Sequence, residues 1–293
     1  GTLLRDEPMA RHTTWRVGGP ADRYYRPADL EDLAAFLAGL PPEEPVYWVG
    51  LGSNLLVRDG GLRGTVIAST GRLDRIERLE ETGLRAEAGA TCAGVARFAA
   101  RAGLTGAEFL AGIPGTLGGA LAMNAGAFGG ETWDLVEAVE TLDRSGNRRV
   151  RAPDEYAVGY RRVAGPEGEW FAAVRLRLQP GDAEAAGARI RTLLERRGAS
   201  QPTRMPSAGS VFRNPEGDHA GRLVEACGLK GACIGAACVA TQHANFIVNT
   251  GGATAADIEA LIREVRETVE REQGVRLETE VRVVGEPAQE GSA

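Results

Sequence analysis

The run Ala111-Gly-Ile-Pro-Gly-Thr-Leu-Gly-Gly-Ala-Leu-Ala-Met-Asn-Ala-Gly-Ala-Phe-Gly-Gly130 constrains this chain more than any other stretch. Glycine loses more backbone freedom on folding than any other residue, so glycine this dense persists only where main chain must lie close against something. The density argues against a helix here. Pro114 fixes one φ angle, and Gly115, Gly118 and Gly119 reach backbone angles that other residues avoid. The expectation is a curved track of bare N–H donors, suited to phosphate oxygens or to the polar edge of a flat heterocycle. A flexible linker is the competing reading. Linkers are polar and serine-rich, whereas Ile113, Leu117, Leu121, Met123 and Phe128 interrupt this run and call for burial.

A second glycine-rich segment, Gly50-Leu-Gly-Ser-Asn54, follows the apolar Pro45-Val-Tyr-Trp-Val49. The dinucleotide fingerprint needs a third glycine with a helix opening at it. Leu55 follows instead, and Leu56-Val57 lead into another turn at Arg58-Asp-Gly-Gly61. The segment reads as strand, loop, strand, with Ser53 and Asn54 offering short hydrogen-bonding side chains. A pyrophosphate held by loops is the functional reading; a tight connection between elements is the plain one.

Around these loops the periodicity predicts helices over 27–40, 91–102, 183–197, 219–227 and 254–273. The last carries Thr254 and Asp257 at capping-box spacing and a stripe of Ile258, Leu261, Ile262, Val265 and Val269. Asp218 is the expected cap of the 219–227 helix. Strands are expected over 45–49, 65–68, 83–89, 136–142, 148–151, 170–178, 246–249 and 280–284. The class is α+β, with a main boundary near residue 198. With 43% hydrophobic and 25% charged residues and a net charge of −6, the chain lacks the basic footprint of a nucleic-acid binder. Its cationic charge is nearly all arginine; Lys230 is the only lysine. Cys92, Cys227, Cys233 and Cys238 form no CxxC and stand beside no histidine cluster, so all four are expected as reduced thiols, without metal. No apolar run is long enough to cross a bilayer and residues 1–9 carry no export signal, so the expected address is cytoplasmic.

Taken together, Thr14-Trp-Arg-Val-Gly-Gly-Pro20, Gly50-Leu-Gly-Ser-Asn-Leu-Leu56, Gly112-Ile-Pro-Gly-Thr-Leu-Gly-Gly-Ala120 with Asn124-Ala-Gly-Ala127, Gly209-Ser-Val-Phe-Arg-Asn-Pro215, His243-Ala-Asn-Phe-Ile-Val-Asn249 and Glu280-Val-Arg282 resemble the UDP-N-acetylenolpyruvoylglucosamine reductases, the MurB family. The motifs occur in the family's order and span almost the whole chain. The resemblance implies an FAD domain of the vanillyl-alcohol-oxidase (PCMH) type in two lobes, over 1–70 and 71–198. The strand at 280–286 returns to the first lobe, a smaller α+β substrate domain covers 199–279, and a tail covers 287–293. Only a short turn separates Tyr160-Arg161 from the strand at Trp170. The chain therefore resembles the shorter type of the family, without the inserted segment that carries a substrate-binding tyrosine. Val163 also stands where many members have serine.

The resemblance further implies the reaction. NADPH reduces a non-covalent FAD, and the flavin then reduces the enolpyruvyl ether of UDP-N-acetylglucosamine enolpyruvate to the lactyl ether of UDP-N-acetylmuramate, for peptidoglycan synthesis. Negative charge appears at C2 and spreads into the attached carboxylate, so the site must supply a cation and donors there and deliver a proton. Arg161 is the expected cation, since a planar fork suits a carboxylate. Glu280, at the start of the last strand, would donate to the enediolate if its pKa is raised. Ser210 would give the proton, with Gly209 allowing close approach. Gly50, Gly52, Ser53, Asn54, Ile113, Gly115, Thr116, Gly118 and Gly119 are expected at the flavin, and Tyr160, Arg213 and Asn214 at the substrate. No nucleic acid or membrane partner is expected, and the chain is expected to act as a monomer. A nucleophilic Ser210 with His219 or His243 as base is disfavoured, because no Gly-x-Ser-x-Gly elbow surrounds it; His243 is expected to donate to the backbone. Two alternatives remain. An FAD oxidase or dehydrogenase of the same fold acting on a small alcohol or hydroxy acid would explain the first part of the chain but not Ser210 with Glu280. A nucleotide-sugar binding protein without flavin would be colourless.

Overall fold

The structure is a computed structural model and describes residues 1–288. The tail expected over 287–293 lies outside the described residues from 289 onward. Strands β1 (Thr2–Pro8) and β2 (Pro20–Arg26) lead into α1 (Leu30–Ala38), β3 (Val46–Val49), β4 (Leu55–Val57) and β5 (Leu62–Ala68). Next come β6 (Ile76–Leu79), β7 (Gly83–Glu87), α2 (Cys92–Arg101), β8 (Leu104–Thr105) and α3 (Leu117–Met123). Two hairpins follow, β9 (Gly126–Ala127) with β10 (Gly130–Glu131) and β11 (Val136–Asp143) with β12 (Arg148–Arg151). A third joins β13 (Ala157–Gly159) to β14 (Arg162–Ala164), before β15 (Glu169–Arg177), β16 (Gln179–Pro180) and α4 (Ala183–Ser200). The rest is α5 (Ala220–Ala226), β17 (Cys233–Ile234), β18 (Ala237–Val239), β19 (Ile247–Asn249), α6 (Ala255–Gln273) and β20 (Arg282–Val284).

The chain divides into two compact units. The first comprises Gly1–Leu4, Tyr24–Leu51 and Thr65–Arg196; the second comprises Arg5–Arg23, Gly52–Gly64 and the residues from Arg197 on. A four-stranded sheet has the order β1-β2-β5-β3, with β3 and β5 parallel and Val46 opposite Thr65.

In the first unit a five-stranded antiparallel sheet has the order β12-β11-β15-β7-β6. Val174 of β15 lies opposite Val139 of β11 and Ala86 of β7. These residues are fully buried and pack with Val95 and Ala99 of α2, Leu117 and Leu121 of α3, and Ala186 and Ile190 of α4. The alternation along β15 puts Leu176 inside and Arg175 and Arg177 outside, as a strand with one covered face requires. A second cluster joins Leu30, Leu33 and Leu37 of α1 to Ile67, Leu142 and Ala172. Asp29 caps α1 by accepting from Asp32 N at 2.8 Å.

In the second unit α6 is fixed at its start by the expected capping box. Asp257 N donates to Thr254 Oγ1 at 3.0 Å, and Thr254 N donates to Asp257 Oδ2 at 2.9 Å. The Asp59 carboxylate adds to this by accepting from Ala255 N and Ala256 N, both at 2.9 Å, so two more of the helix's orphan donors are met. The stripe from Ile258 to Val269 is buried and packs with Leu223, Val224 and the fully buried Trp15. Trp15 Nε1 donates to Ile247 O at 2.7 Å. Strand β20 pairs in parallel with β4, Arg282 opposite Leu55.

Several expectations need correction. The glycine run does form a helix over part of its length, α3. Tertiary contact decides this: a Cβ on Gly118 would lie 2.8 Å from the Ala88 Cβ and 3.1 Å from its carbonyl, so only glycine lets the helix pack here. Phe128 is not buried; it is 42% exposed, its ring lies over Gly112, and the Arg196 guanidinium stands 5.8 Å from the ring centre. The last strand begins at Arg282, because Glu280 N is diverted to Val211 O at 2.8 Å. Asp218 does not cap α5: it accepts from His219 N at 2.7 Å and pairs with Arg222, while Asn214 Oδ1 accepts from Ala220 N at 3.1 Å. Finally, Cys233 and Cys238 are not free thiols. They are joined by a disulfide, because the β17–β18 register sets them directly opposite each other.

Candidate active site

Each unit gathers a set of the expected residues. In the first unit the glycine run is not a bare track, because its donors are largely spent on the protein's own main chain. Ile113 N donates to Leu110 O at 3.0 Å, Gly115 N to Ile113 O at 2.9 Å, Leu117 N to Ala90 O and Gly118 N to Ala88 O, both at 2.8 Å. The run is held as a rigid, closely packed wall. Gly50 belongs to the same wall: a Cβ there would run into the Thr116 hydroxyl. Thr116 is the N-cap residue of α3, yet its side chain makes no capping bond. Gly119 is the next helical position but one after Leu117, and Ile113 is buried.

The β13–β14 hairpin places Tyr160 and Arg161 at its tip. Arg161 takes the left-handed conformation with φ 53°. Its guanidinium donates from Nη1 to Asn124 O at 3.2 Å and from Nη2 to Gly126 O at 3.1 Å, and it stands 5.0 Å from the Tyr160 ring centre. Both of these acceptors are neutral main-chain carbonyls. Asn124 organises this corner. It caps α3 in the left-handed conformation, φ 47°, which asparagine tolerates. Its Nδ2 donates to Glu131 Oε2 at 2.8 Å and to Gly159 O at 3.3 Å, and its Oδ1 accepts from Trp133 N at 3.1 Å.

In the second unit Gly52, Ser53, Asn54, Ser210 and Glu280 converge. Gly52 has φ 63°, and a side chain there would run into His12 O. Gly209 N donates to Ser53 O at 3.2 Å, Asn54 Nδ2 to Glu280 O at 3.0 Å, and Glu280 N to Val211 O at 2.8 Å. The segment bearing Ser210 is clamped from its other side by Asn245. Val211 N donates to Asn245 O at 2.9 Å, Phe212 N to Asn245 Oδ1 at 2.9 Å, and Asn245 Nδ2 to Phe212 O at 2.8 Å. Ser210 itself is half-buried, and a Cβ on Gly209 would meet no atom of the described residues within 4 Å. The glycine therefore keeps the main chain next to Ser210 uncrowded. Arg213 reaches Glu278 at 3.5 Å, and Asn214 is engaged at the start of α5.

His243 accepts from Asn245 N at 3.2 Å through Nδ1, so it receives a backbone hydrogen bond instead of donating one. Burial pushes its pKa down, which matches a neutral ring, and Phe246 meets it edge-on at 4.9 Å. Neither it nor His219 is hydrogen-bonded to Ser210 among the described residues, so no base stands against that hydroxyl.

Two buried hydroxyls test whether a dinucleotide fits. Thr14 Oγ1 and Thr70 Oγ1 are shielded yet meet no acceptor or donor among the described residues. An unmet buried polar atom costs about 1–3 kcal/mol, so such atoms call for a partner, a water or a ligand. Thr14 N donates to Gly52 O at 3.3 Å, which puts Thr14 at the glycine loop of the second unit. Thr70 adjoins Ser69, against which Gly89 packs, and Ala88 and Ala90 on either side hold Gly118 and Leu117. Polar donors next to glycine-lined main chain suit the phosphates and hydroxyls of FAD. Neither threonine was singled out in the sequence, although Thr14 opens the Thr-Trp-Arg-Val-Gly-Gly motif. Asn124 and Asn245 were missed too; each sits inside a recognised motif.

Among the described residues no helix is long and apolar enough to cross a membrane. Residues 21–150 match the family described as FAD binding domain, and residues 201–284 match UDP-N-acetylenolpyruvoylglucosamine reductase, C-terminal domain. A UDP-N-acetylenolpyruvoylglucosamine reductase of Methylococcus capsulatus is 63% identical over 98% of this chain and 94% of its own length. One from Legionella pneumophila is 54% identical over 98% of this chain and 93% of its own. A crystal structure of UDP-N-acetylenolpyruvylglucosamine reductase from Thermus caldophilus superposes with a TM-score of 0.80 at 37% identity, covering 96% of this chain and 98% of that one. With relatives this similar along nearly all of its length, the chain belongs to the UDP-N-acetylenolpyruvoylglucosamine reductase family.

Proposed function

We propose that this chain reduces UDP-N-acetylglucosamine enolpyruvate to UDP-N-acetylmuramate for peptidoglycan synthesis, using NADPH and a non-covalent FAD. When bound, the flavin supplies the hydride that goes to the vinyl C3. The protein's part is to hold the acceptor and manage the charge left behind. Arg161, positioned by its carbonyl anchors, takes the substrate carboxylate as negative charge builds on it. Glu280 is set beside the Ser210 segment by its own main-chain bond to Val211 and serves the developing enediolate as a donor. The Ser210 hydroxyl delivers its proton to C2, a step open to so weak an acid because a carbanion-like C2 is strongly basic.

Gly50, Gly52, Ser53, Asn54, Ile113, Gly115, Thr116, Gly118 and Gly119 hold the flavin, with Thr14 and Thr70 adding hydroxyls. Tyr160 and Arg213 contact the substrate, and Asn214 supports that surface through α5. Residues 1–70 and 71–198 make the flavin region and 199–279 the substrate region. The chain works as a monomer in the cytoplasm.

The observation that carries this reading is the linkage Ser53–Gly209, Asn54–Glu280 and Glu280–Val211, which ties the glycine loop to both Ser210 and Glu280. An oxidase of small alcohols has no use for that pair. The test is stopped-flow kinetics of Ser210→Ala. The purified protein is yellow, NADPH bleaches it at the wild-type rate, and reoxidation by the sugar substrate slows by about 100-fold or more. Normal reoxidation would remove Ser210 as the acid; rapid turnover with oxygen and an alcohol would favour the oxidase.

A further inference from the structure

The hairpin of β17 and β18 carries a covalent bond for which the reaction has no use. Cys233 lies opposite Cys238, with Ile234 opposite Ala237 and only Gly235 and Ala236 turning the chain. The two Cα atoms are 4.1 Å apart and the sulfurs are bonded. Val239 N donates to Ala232 O at 2.9 Å, so Cys233 and Cys238 occupy the close, non-hydrogen-bonded site of the ladder. The register alone brings the two Cβ atoms together. The bond therefore closes across a ladder position that the hairpin's own register sets.

The surroundings favour exchange. Cys233 is exposed and Cys238 half-buried. Cys233 Sγ lies 3.2 Å from Gly231 O, an acceptor ready for its S–H once the bond opens. The other two cysteines are poorly placed to compete. Cys92 is fully buried, and its thiol is pushed up to about 12; Cys227 is raised by burial and by Glu272. Disulfides in reducing compartments are usually transient and redox-responsive, and exposed ones are the labile ones.

The hairpin also has a direct line to the serine segment. Cys238 pairs with Val248 of β19, Val248 forms a β-bridge with Ser207, and Asn249 N donates to Pro206 O at 2.9 Å. Cys238 also packs on the small apolar cluster of Ala240, Phe246 and Val248. Three consecutive backbone pairings thus run from the sulfur bridge to the loop that ends at Ser210.

We propose that Cys233 and Cys238 form a reversible thiol–disulfide exchange site for small thiols and dithiol reductases, and that its oxidised state holds the Pro206–Ser210 loop in place for the substrate step. In reduction, a thiolate of the reductant attacks the exposed Cys233 sulfur. The Cys238 sulfur leaves as a thiolate and takes a proton. A second reductant thiol then resolves the mixed disulfide and frees Cys233, and the reductant is left as its own disulfide. Two electrons and two protons enter the protein. Oxidised glutathione runs the sequence backward and leaves as two reduced molecules.

The bond itself is independent of the role given to Ser210; the effect on rate rests on it. The test uses the full-length, FAD-loaded protein, poised with oxidised or reduced glutathione, alkylated and mapped by mass spectrometry. The expected result is that residues 233 and 238 resist alkylation after oxidised glutathione and accept two labels after reduction. Stopped-flow then compares the two forms. Reoxidation by the sugar substrate is two- to fivefold faster in the disulfide form, reduction by NADPH is unchanged, and Cys233→Ser with Cys238→Ser abolishes the difference. Equal alkylation of both residues under the two conditions overturns the proposal, as does a disulfide that forms without altering reoxidation. If reoxidation responds to the bond but Ser210→Ala is normal, the exchange site stands and the serine assignment falls.

Discussion

Asn124 secures the Arg161 corner through its side chain, and replacing it gives a quantitative test of that geometry. Asn124→Ala deletes the acceptor of the buried Trp133 N–H, an unmet donor worth about 1–3 kcal/mol. It also deletes the bond to the half-exposed Glu131 carboxylate, which we set at about 1 kcal/mol because solvent screens it. Alanine in the left-handed region adds about 1–2 kcal/mol that asparagine largely avoids. The expected destabilisation is about 3–6 kcal/mol. Asn124→Gly separates the parts. It loses the same hydrogen bonds but not the backbone cost, and that relief outweighs the extra unfolded-state entropy of glycine, about 0.4–1 kcal/mol. Urea unfolding followed by circular dichroism reads both variants at a common slope. An alanine variant within about 0.5 kcal/mol of wild type, or a glycine variant less stable than the alanine one, would refute the account.

Further outcomes follow from the same contacts. Gly118→Ala is expected to destabilise by about 1–2 kcal/mol, because forcing a methyl against Ala88 outweighs the helix-propensity gain of about 1 kcal/mol; a raised melting temperature would show the packing to be looser than described. His243 has its pKa lowered on folding, so the native state disfavours its proton. Its contribution is complete above about pH 6.5 and is lost as pH falls below that value toward the folded pKa. His243→Asn should flatten the fall in melting temperature between about pH 7 and pH 5.5, and an unchanged slope would assign that fall to other groups.

Where local signals and tertiary demands agree, the sequence is readable. Helix α6 announces itself through Thr254, Asp257 and a continuous apolar stripe, and β15 through Leu176 set against Arg175 and Arg177. Helix α3 is hidden because Gly118 answers to Ala88, a neighbour distant in sequence, and propensity points the other way. The cysteine pair is hidden for a related reason. Spacing alone does not distinguish two thiols from a cross-strand bridge until Gly235-Ala236 is known to turn an antiparallel hairpin. The site shows the same division. Ser210, Glu280 and the Gly52–Asn54 loop lie in recognisable motifs, and the main-chain bonds linking them are seen only in three dimensions. The second ring of residues, Asn124 and Asn245, acts through backbone groups whose positions no side-chain pattern reports.

Strand β4 finds its ladder partner in β20, near the far end of the chain, and the second unit is assembled from three separate stretches. A ribosome emitting this protein has no ladder partner to offer Leu55–Val57 until Arg282–Val284 have been read. The nascent glycine loop next to that strand has Thr14 to bond with, but its partners Gly209 and Arg282 have still to emerge. A chain stopped short of Arg282 would leave that edge exposed to neighbours, so premature termination is expected to yield aggregates and not a smaller working flavoprotein.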